Sequence, residues 1–523
     1  MDKISVAEVP EKKAENIYTR SDDTKKTANY RASYPLDPDK VINPFTLKQS
    51  QDDALKLSTE NAVGSGLVNS MADGVIGSGL SLESVVPSSI LSVSQEKISR
   101  NTQLIEEYWN LWSESREACD FAGEQTLGMM TRTAGASHWS TGDVLQFIGI
   151  HDWNGIYVPF IRVYDGRSVC NKDSASNTEN MISGIKLKNG KAIGYTIKTE
   201  TSPYNYKYKD VNRFAKYPGS NIERLQYNLV MSGRVSPAQR RGRPLILPSM
   251  SNIIMMGKFS ESEMVKAIIQ SYITAFVTRD VELAGKTPVA SSSNDPLLSR
   301  LDMDKKIGET GERETPITMG PGYINTLNPG EKIEFPENKS PVAEFWSFME
   351  GQLKLICMSI QIPYEVALQV FNSNYSASQA AIQAAARRWD IERKFFASQF
   401  MQPIYDLFVW LLQYQGIIST PGFMEKPFVR AAWCKANWHG PVILNIDPVK
   451  NVKSATGRLE NYTSTYQDEG RKLGVDFENV ARRRATEKAL LDSLGLKENI
   501  GREEEKVEEV EEVEENNSNG GNK

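Results

Sequence analysis

Between Ser376 and Gly416 the chain runs without a glycine and with a single proline, Pro403, and this stretch limits the fold more than any other. Ser376 and Gln379 have the S-x-x-Q spacing of a capping box, and Gly416 is a natural stop, so the spacing predicts one helix of about 39 residues, roughly 58 Å long. Pro403 is expected to kink it. Arg387 and Arg388 fall on the first third. Phe395, Phe396, Phe400, Ile404, Phe408 and Leu411 supply a packing surface further on. Directly ahead of the helix stands LQVFNSNYS, a polar loop carrying Gln369, Phe371, Asn372, Ser373, Asn374 and Tyr375. Buried in a core, such a loop would leave backbone groups without partners, so it is expected to face water or a large polar ligand.

At 523 residues the chain can bury more than one core, and its 40% hydrophobic and 24% charged content are those of a globular protein. It has no run of some eighteen apolar residues, so no spanning helix and no membrane contact are expected. The opening MDKISVAEVPEKKAENIYTR has no apolar segment, which points away from secretion. Cys119, Cys170, Cys357 and Cys434 lie far apart and are expected to be inert thiols. His138, His151 and His439 lack metal-ligand spacing and are expected to be packed or surface imidazoles, so neither a metal nor another cofactor is expected.

Catalytic signatures are equally sparse. DVELAGKT, at 280–287, ends like a phosphate-binding loop, but Asp280 occupies the place of the leading glycine, where a carboxylate repels phosphate. The GSG clusters at Gly64 and Gly77 do not extend to GxGxxG, and no GxSxG elbow exists. An ATP-driven or hydrolytic DNA enzyme would rest on AGKT and an arginine cluster alone, and the expectation is that the chain is not an enzyme.

Charge is distributed unevenly. Residues 502–523 hold nine Glu against one Arg and two Lys, a sum of −6, so the overall −5 leaves the body at +1. Tight sequence-independent DNA binding draws on many phosphate contacts, and a near-neutral body suits a surface past which DNA slides.

Along the chain, residues 1–50 are polar and Pro-punctuated and read as a flexible arm. A helix is expected from Gln51 to Leu82, ending at the Gly77/Gly79 pair, and a second near Ser94 to Glu117 with Leu104, Tyr108, Leu111 and Trp112 on its packed face. Between Asp143 and Lys198 the period becomes that of strands. GDVLQFIGI, YVPFIRVYD and GIKLKNGKAIGYTIK follow one another, with a hairpin turn at Asn189-Gly190. Tyr204, Tyr206 and Tyr208 alternate along a further strand, where cross-strand packing is favoured over base stacking.

Arg234, Arg240, Arg241 and Arg243 form a dense basic cluster, open to two readings, a structural ion-paired loop or contact with phosphate. After Pro248 a helix is expected to about Thr278, with Met264, Ile268, Tyr272 and Phe276 as a core or subunit-packing stripe. Residues 281–340 read as a projecting module of strands and loops, and Ser340-Pro341 opens a helix that ends before Pro363. More helix follows 417, including NVARRRATEKALLDSL, before the acidic tail.

NAVGSGLVNSMADGVIGSGL, GIKLKNGKAIGYTIK, RRGRPLILPSMSNI and the linked set LNPGEKIEF, FWSFMEGQLKLICMSIQIPYEVALQVFNSNYSASQAA and QPIY resemble, in order over about residues 60–480, the lambda-type family of phage portal proteins. The resemblance implies an α+β portal fold. It comprises a flexible arm (1–50), an α/β wing (51–248), a first stem helix (249–280), a small α/β clip (281–340) and a second stem helix (341–366). A tunnel loop (367–376), a long kinked wing helix (377–416), a mainly helical crown (417–500) and an acidic disordered tail (501–523) complete it.

The resemblance also implies a homo-oligomeric ring, usually a dodecamer, at the capsid portal vertex of the virion, assembled in the host cytoplasm. Double-stranded DNA would thread it without sequence preference. Its implied partners are the terminase large subunit, the major capsid and scaffold proteins, and later a head-completion or adaptor protein. Gln369, Phe371, Asn372, Ser373, Asn374 and Tyr375 would line the channel. Arg387, Arg388, Lys394, Arg240, Arg241 and Arg243 are candidates for contact with DNA or a neighbouring subunit. Gln379 stands near where the family commonly carries Arg. A different phage head or adaptor ring component is the alternative.

Overall fold

The computed structural model describes residues 44–91, 93–202, 205–234, 236–237, 239–272, 276–279, 331–334, 342–371, 374–442 and 448–496. Helices and small antiparallel sheets alternate along it, the mixed class expected from the sequence.

Its organising element is the helix Tyr375–Tyr414, 40 residues long with Pro403 inside. The two halves of this helix differ. Up to Phe395 it buries only Ser378 and Ala385, whereas Phe396, Phe400, Ile404, Tyr405 and every residue from Leu407 to Leu412 are buried. Around the buried half pack Trp109 and Trp112 of helix Gln95–Glu114, Trp139 of helix Leu127–Thr141, and Val144 and Ile148 of strand Asp143–Trp153. Trp109 lies edge-on to Phe408 at 5.2 Å and to Tyr405 at 5.7 Å, the T-shaped geometry that ring quadrupoles favour.

Strand Asp143–Trp153 is buried on both faces, because it divides two cores. Val144 and Ile148 enter the first core; Leu145 and the partly buried Phe147 enter the second, with Val169, Ile185, Tyr195, Ile197, Val211 and Leu229. Period-two alternation therefore carries apolar side chains both ways. This strand is central in a three-stranded antiparallel sheet, between Tyr227–Met231 and Ile156–Asp165. A four-stranded sheet covers the second core and contains the Asn189-Gly190 hairpin between Ile185–Lys188 and Lys191–Ser202. Asn189 (φ 51°) and Gly190 (φ 73°) both take left-handed backbone, the requirement of a type I′ turn. Across the next pair Lys198 Nζ sits 3.3 Å from the Tyr206 ring centroid, a cross-strand role for that tyrosine; Tyr204 lies outside the described residues.

Several expectations are corrected. The arm gives way to helix earlier than residue 50: Pro44–Glu60 is helical and buries Leu47, Ser50, Gln51 and Ala54. The helix expected from Gln51 to Leu82 is two, because Asn61 breaks the chain and its side chain accepts from Val63 and Gly64 N–H to start Ala62–Val75. Leu82 belongs to strand Ser81–Ser84. On Gln95–Glu114 the packed face is Ile98, Asn101, Ile105, Trp109 and Trp112, while Tyr108 and Leu111 are 37% and 68% exposed. Two apolar stripes overlap on that helix, and the one holding both tryptophans takes the core. Helix Met250–Tyr272 stops short of Phe276, which opens a strand, Phe276–Arg279, paired with Glu331–Glu334. Met264 and Ile268 are 61% and 49% exposed, so that stripe is not protomer core.

Candidate channel loop and its supports

The loop hangs between two helix ends. Helix Val342–Ile360 terminates with Gln361 in left-handed backbone (φ 61°), and Ile362 N–H returns to Cys357 O at 3.3 Å. A short helix, Tyr364–Leu368, stops the same way at Gln369 (φ 56°), whose N–H reaches the Glu365 and Val366 carbonyls, and Val370 N–H donates to Glu365 O at 3.0 Å. The chain is thus turned outward twice before the long helix begins. Leu368, Val370, Phe371 and Tyr375 are 40–46% exposed. No charged side chain stands between Leu368 and Tyr375. Asn372 and Ser373 lie outside the described residues.

The expected Ser376/Gln379 capping box is not the helix start. Asn374, with extended backbone at ψ 159°, is the N-cap, and its side-chain oxygen accepts from Ala377 N–H at 2.9 Å. Asn is as good a cap as Ser, and capping at the earlier residue lets Tyr375 and Ser376 join the helix and lengthen it. Tyr375 is therefore the first helical residue, with Lys450 of helix Pro448–Glu460 5.5 Å from its ring centroid. Replacing Asn374 by Ala is expected to cost about 1 kcal/mol locally, read as roughly fivefold faster amide exchange over 375–380.

Of the basic candidates on the long helix, Arg388 pairs with Glu392 one turn on and Lys394 with Asp390 one turn back, both at 2.8 Å; Arg387 is exposed. The exposed Lys394 pair contributes about 0.3–0.5 kcal/mol and holds its cation lightly, whereas the Arg388 and Glu392 side chains, 23% and 15% exposed, are largely shielded from water. A residue the sequence did not single out matters more to position. Arg393 donates from Nε to Val75 O and from Nη2 to Gly74 O, both at 2.9 Å, capping the C-terminal end of helix Ala62–Val75 where a cation is favoured. Beside it Trp389 packs so tightly on Gly74 that a Cβ there would lie 2.2 Å from the indole. These partners are 318 residues from Arg393 in sequence, and no local pattern announces them.

The arginine cluster divides. Arg241 is not available to DNA or a neighbour: its side chain is 2% exposed and all five donors are used. Nε and Nη2 grip the two Asp143 oxygens at 2.6 and 3.0 Å; Nη1 donates to the Val169 and Ser183 carbonyls and Nη2 to Gly166 O, at 2.6 to 2.8 Å. A fork of five rigid donors matches a carboxylate ringed by carbonyls, which explains why Arg is found at this site. Gln51 Nε2 and Gly242 N–H complete the shell of Asp143. Arg240 reaches Gly190 O at 3.1 Å from a partly exposed site, Arg234 donates to Gln239 O, and Arg243 is half-buried with its N–H on Ser232 O.

The histidines take structural places. His138 is fully buried beside Trp139 and Phe396, and burial pushes it down to about 4. His151 bonds Ala118 O, and His439 bonds Glu83. Cys119 and Cys357 are buried, and burial pushes their thiols up to about 12 and 11. No helix among the described residues is long and apolar enough to cross a membrane. DVELAGKT and residues 501–523 lie outside the described residues.

Comparison with known proteins places this architecture. The chain is 22% identical over 414 residues to the portal protein of Escherichia phage N15, covering 75% of this chain and 74% of that one. It is 20% identical over 420 residues to portal protein B of Escherichia phage lambda, covering 78% and 77%. Among solved structures, a chain from the neck of an empty gene transfer agent particle aligns over 81% of this chain and 94% of its own, at 12% identity and a TM-score of 0.44. One from the native gene transfer agent virion aligns over 81% and 93%, at 11% and 0.41. The family model for phage portal proteins of the lambda family matches residues 24–393, well over half of the sequence. The chain belongs to the lambda family of phage portal proteins.

Proposed function

We propose that copies of this chain close into a ring of twelve at the capsid portal vertex, with the loop 369–374 facing a central bore through which double-stranded DNA enters and leaves. The observation that carries the reading is the pairing of an exposed, uncharged loop with apolar surface that a solitary chain has no use for. Helices Met250–Tyr272 and Val342–Ile360 pack on each other through Phe259, Phe345 and Phe348. Their outer sides nevertheless expose Met264, Val265, Trp346, Leu355 and Met358, at 47–70%. Exposed large apolar side chains gathered on two packed helices mark an interface, and the same face repeated around a closed ring would cover them.

In this reading the two helices are the stem, 281–340 the clip on which the terminase large subunit docks, and the residues after 417 the crown. Capsid and scaffold proteins surround the ring, and head-completion proteins follow packaging. Short uncharged side chains give a passing duplex brief hydrogen bonds with little counterion release, so DNA is guided without being held. The protein hydrolyses nothing itself; the translocation energy comes from the docked motor.

Negative-stain micrographs of the purified chain are expected to show rings with a central hole, and the same sample is expected to lack ATPase activity. A monodisperse monomer at micromolar concentration across salt conditions overturns the ring. Rings without a stem or hole favour a different head component.

A further inference from the structure

The helical hairpin Tyr466–Ser493 is attached with very little apolar burial. Tyr466–Lys472 buries Glu469 alone, and Phe477–Ser493 buries no residue. Leu473, Leu490 and Leu494 are 58–63% exposed. An element that removes so little apolar surface from water gains little from the hydrophobic effect and belongs to the low-stability end of a fold.

Its attachment is ionic instead: Glu469 is held by Arg458 of the preceding helix Pro448–Glu460, through Nε at 2.9 Å and Nη2 at 2.6 Å, and the contacts to the rest of the chain converge on Glu83. Strand Ser81–Ser84 pairs with Ala436–His439, setting Glu83 opposite Asn437 and Ser81 opposite His439. The Glu83 side chain, 12% exposed, holds Arg471 of the hairpin on one oxygen; on the other it meets His439 Nε2 at 2.9 Å and Asn437 Nδ2 at 3.2 Å. Beside it Glu106 accepts from Ser84 N–H at 2.8 Å, faced by Asp476 and Arg471 of the hairpin and by Glu83 itself, while the Tyr405 hydroxyl binds Ser84 Oγ behind it. Glu107 lies within electrostatic reach of Arg482.

We propose that the hairpin Tyr466–Ser493 is a hinged flap, latched to the two-stranded sheet of Ser81–Ser84 and Ala436–His439 by the Arg471–Glu83–His439 cluster and released when that cluster is broken. Salt weakens such a latch, since its charges are only partly shielded from solvent. Rising pH weakens it too. Burial pushes the Glu106 carboxyl up to about 7. A folded-state value raised above the ordinary one means that the favourable contribution is complete below about 4.5 and is lost as pH climbs through about 7. Above that, Glu106 carries its charge in a buried site and against Asp476 and Glu83, with the Ser84 N–H and Arg471 opposing.

The test is amide hydrogen exchange on the assembled full-length protein. Glu83→Gln and, from the opposite side, Arg471→Gln are each expected to speed exchange over 466–493 by about tenfold, leaving 396–412 unchanged. Wild type is expected to loosen over 466–493 between about pH 4.5 and pH 7. Glu106→Gln, which keeps an acceptor for Ser84 N–H, is expected to remove that pH dependence. Unchanged exchange over 466–493 in both latch variants overturns the proposal, as does a rise shared by 396–412, and pH dependence that survives Glu106→Gln overturns the role given to Glu106.

Discussion

Arg241→Ala is expected to destabilise the protomer by about 3–5 kcal/mol, because it removes the counter-charge and five donors from a buried site, leaving the Asp143 carboxylate with Gln51 Nε2 and Gly242 N–H alone. Read by scanning calorimetry, that corresponds to a melting temperature lower by about 10 °C for the unit that contains the pair. Lysine should not rescue it, since three donors on a flexible stem cannot reproduce five in a planar fork. Arg240→Ala, one residue away and partly exposed, is the control and should stay within about 0.5 kcal/mol. The contrast identifies burial, not basicity, as the property that matters in this cluster. A loss below about 1 kcal/mol for Arg241→Ala would mean that water replaces the guanidinium and that the assigned role is wrong.

Deleting Val370 to Ser373 while keeping Asn374 is expected to leave ring assembly intact and to reduce DNA-filled particles by at least about tenfold. Asn374 must stay, because it caps the long helix and its removal would mix a folding defect with a channel defect. The size follows from repetition: in the proposed ring of twelve copies, about 0.12 kcal/mol lost per loop sums to about 1.4 kcal/mol, a factor of ten. Counting rings in micrographs and filled heads in a complementation assay separates the two effects. Loss of rings would show that the loop is chiefly an interface. Full packaging by intact rings would remove it from the DNA path.

How much of this was legible in the sequence depends on how local each determinant is. The Asn189-Gly190 turn was readable because two adjacent residues decide it through positive φ, and Asn154-Gly155 carries the same signal at the tip of the neighbouring hairpin. The long helix was readable from its uninterrupted length, although its first residue was misplaced when two caps competed within three positions. Helix Leu127–Thr141 was passed over. Its buried face, Leu127, Met130, Thr131, Ala134, Gly135 and His138, is as much small or polar as apolar, and Met129 stands exposed, so the one-sided apolar pattern by which a surface helix is recognised is absent. Arg241 and Arg240 are neighbours in the chain with opposite environments, and what separates them, Asp143, is 98 residues from Arg241. The exposed loop before the long helix is legible from its polarity, but its outward turn depends on left-handed backbone at Gln361 and Gln369, which glutamine does not advertise.

The division of the long helix into a buried half and an exposed half has a mechanical corollary. A rigid rod clamped along one end behaves as a cantilever. Any small tilt imposed where Phe396 to Leu412 are gripped arrives at Asn374 enlarged by the length of the arm beyond Trp389, so in the proposed ring the bore's width would answer to packing changes made well away from it.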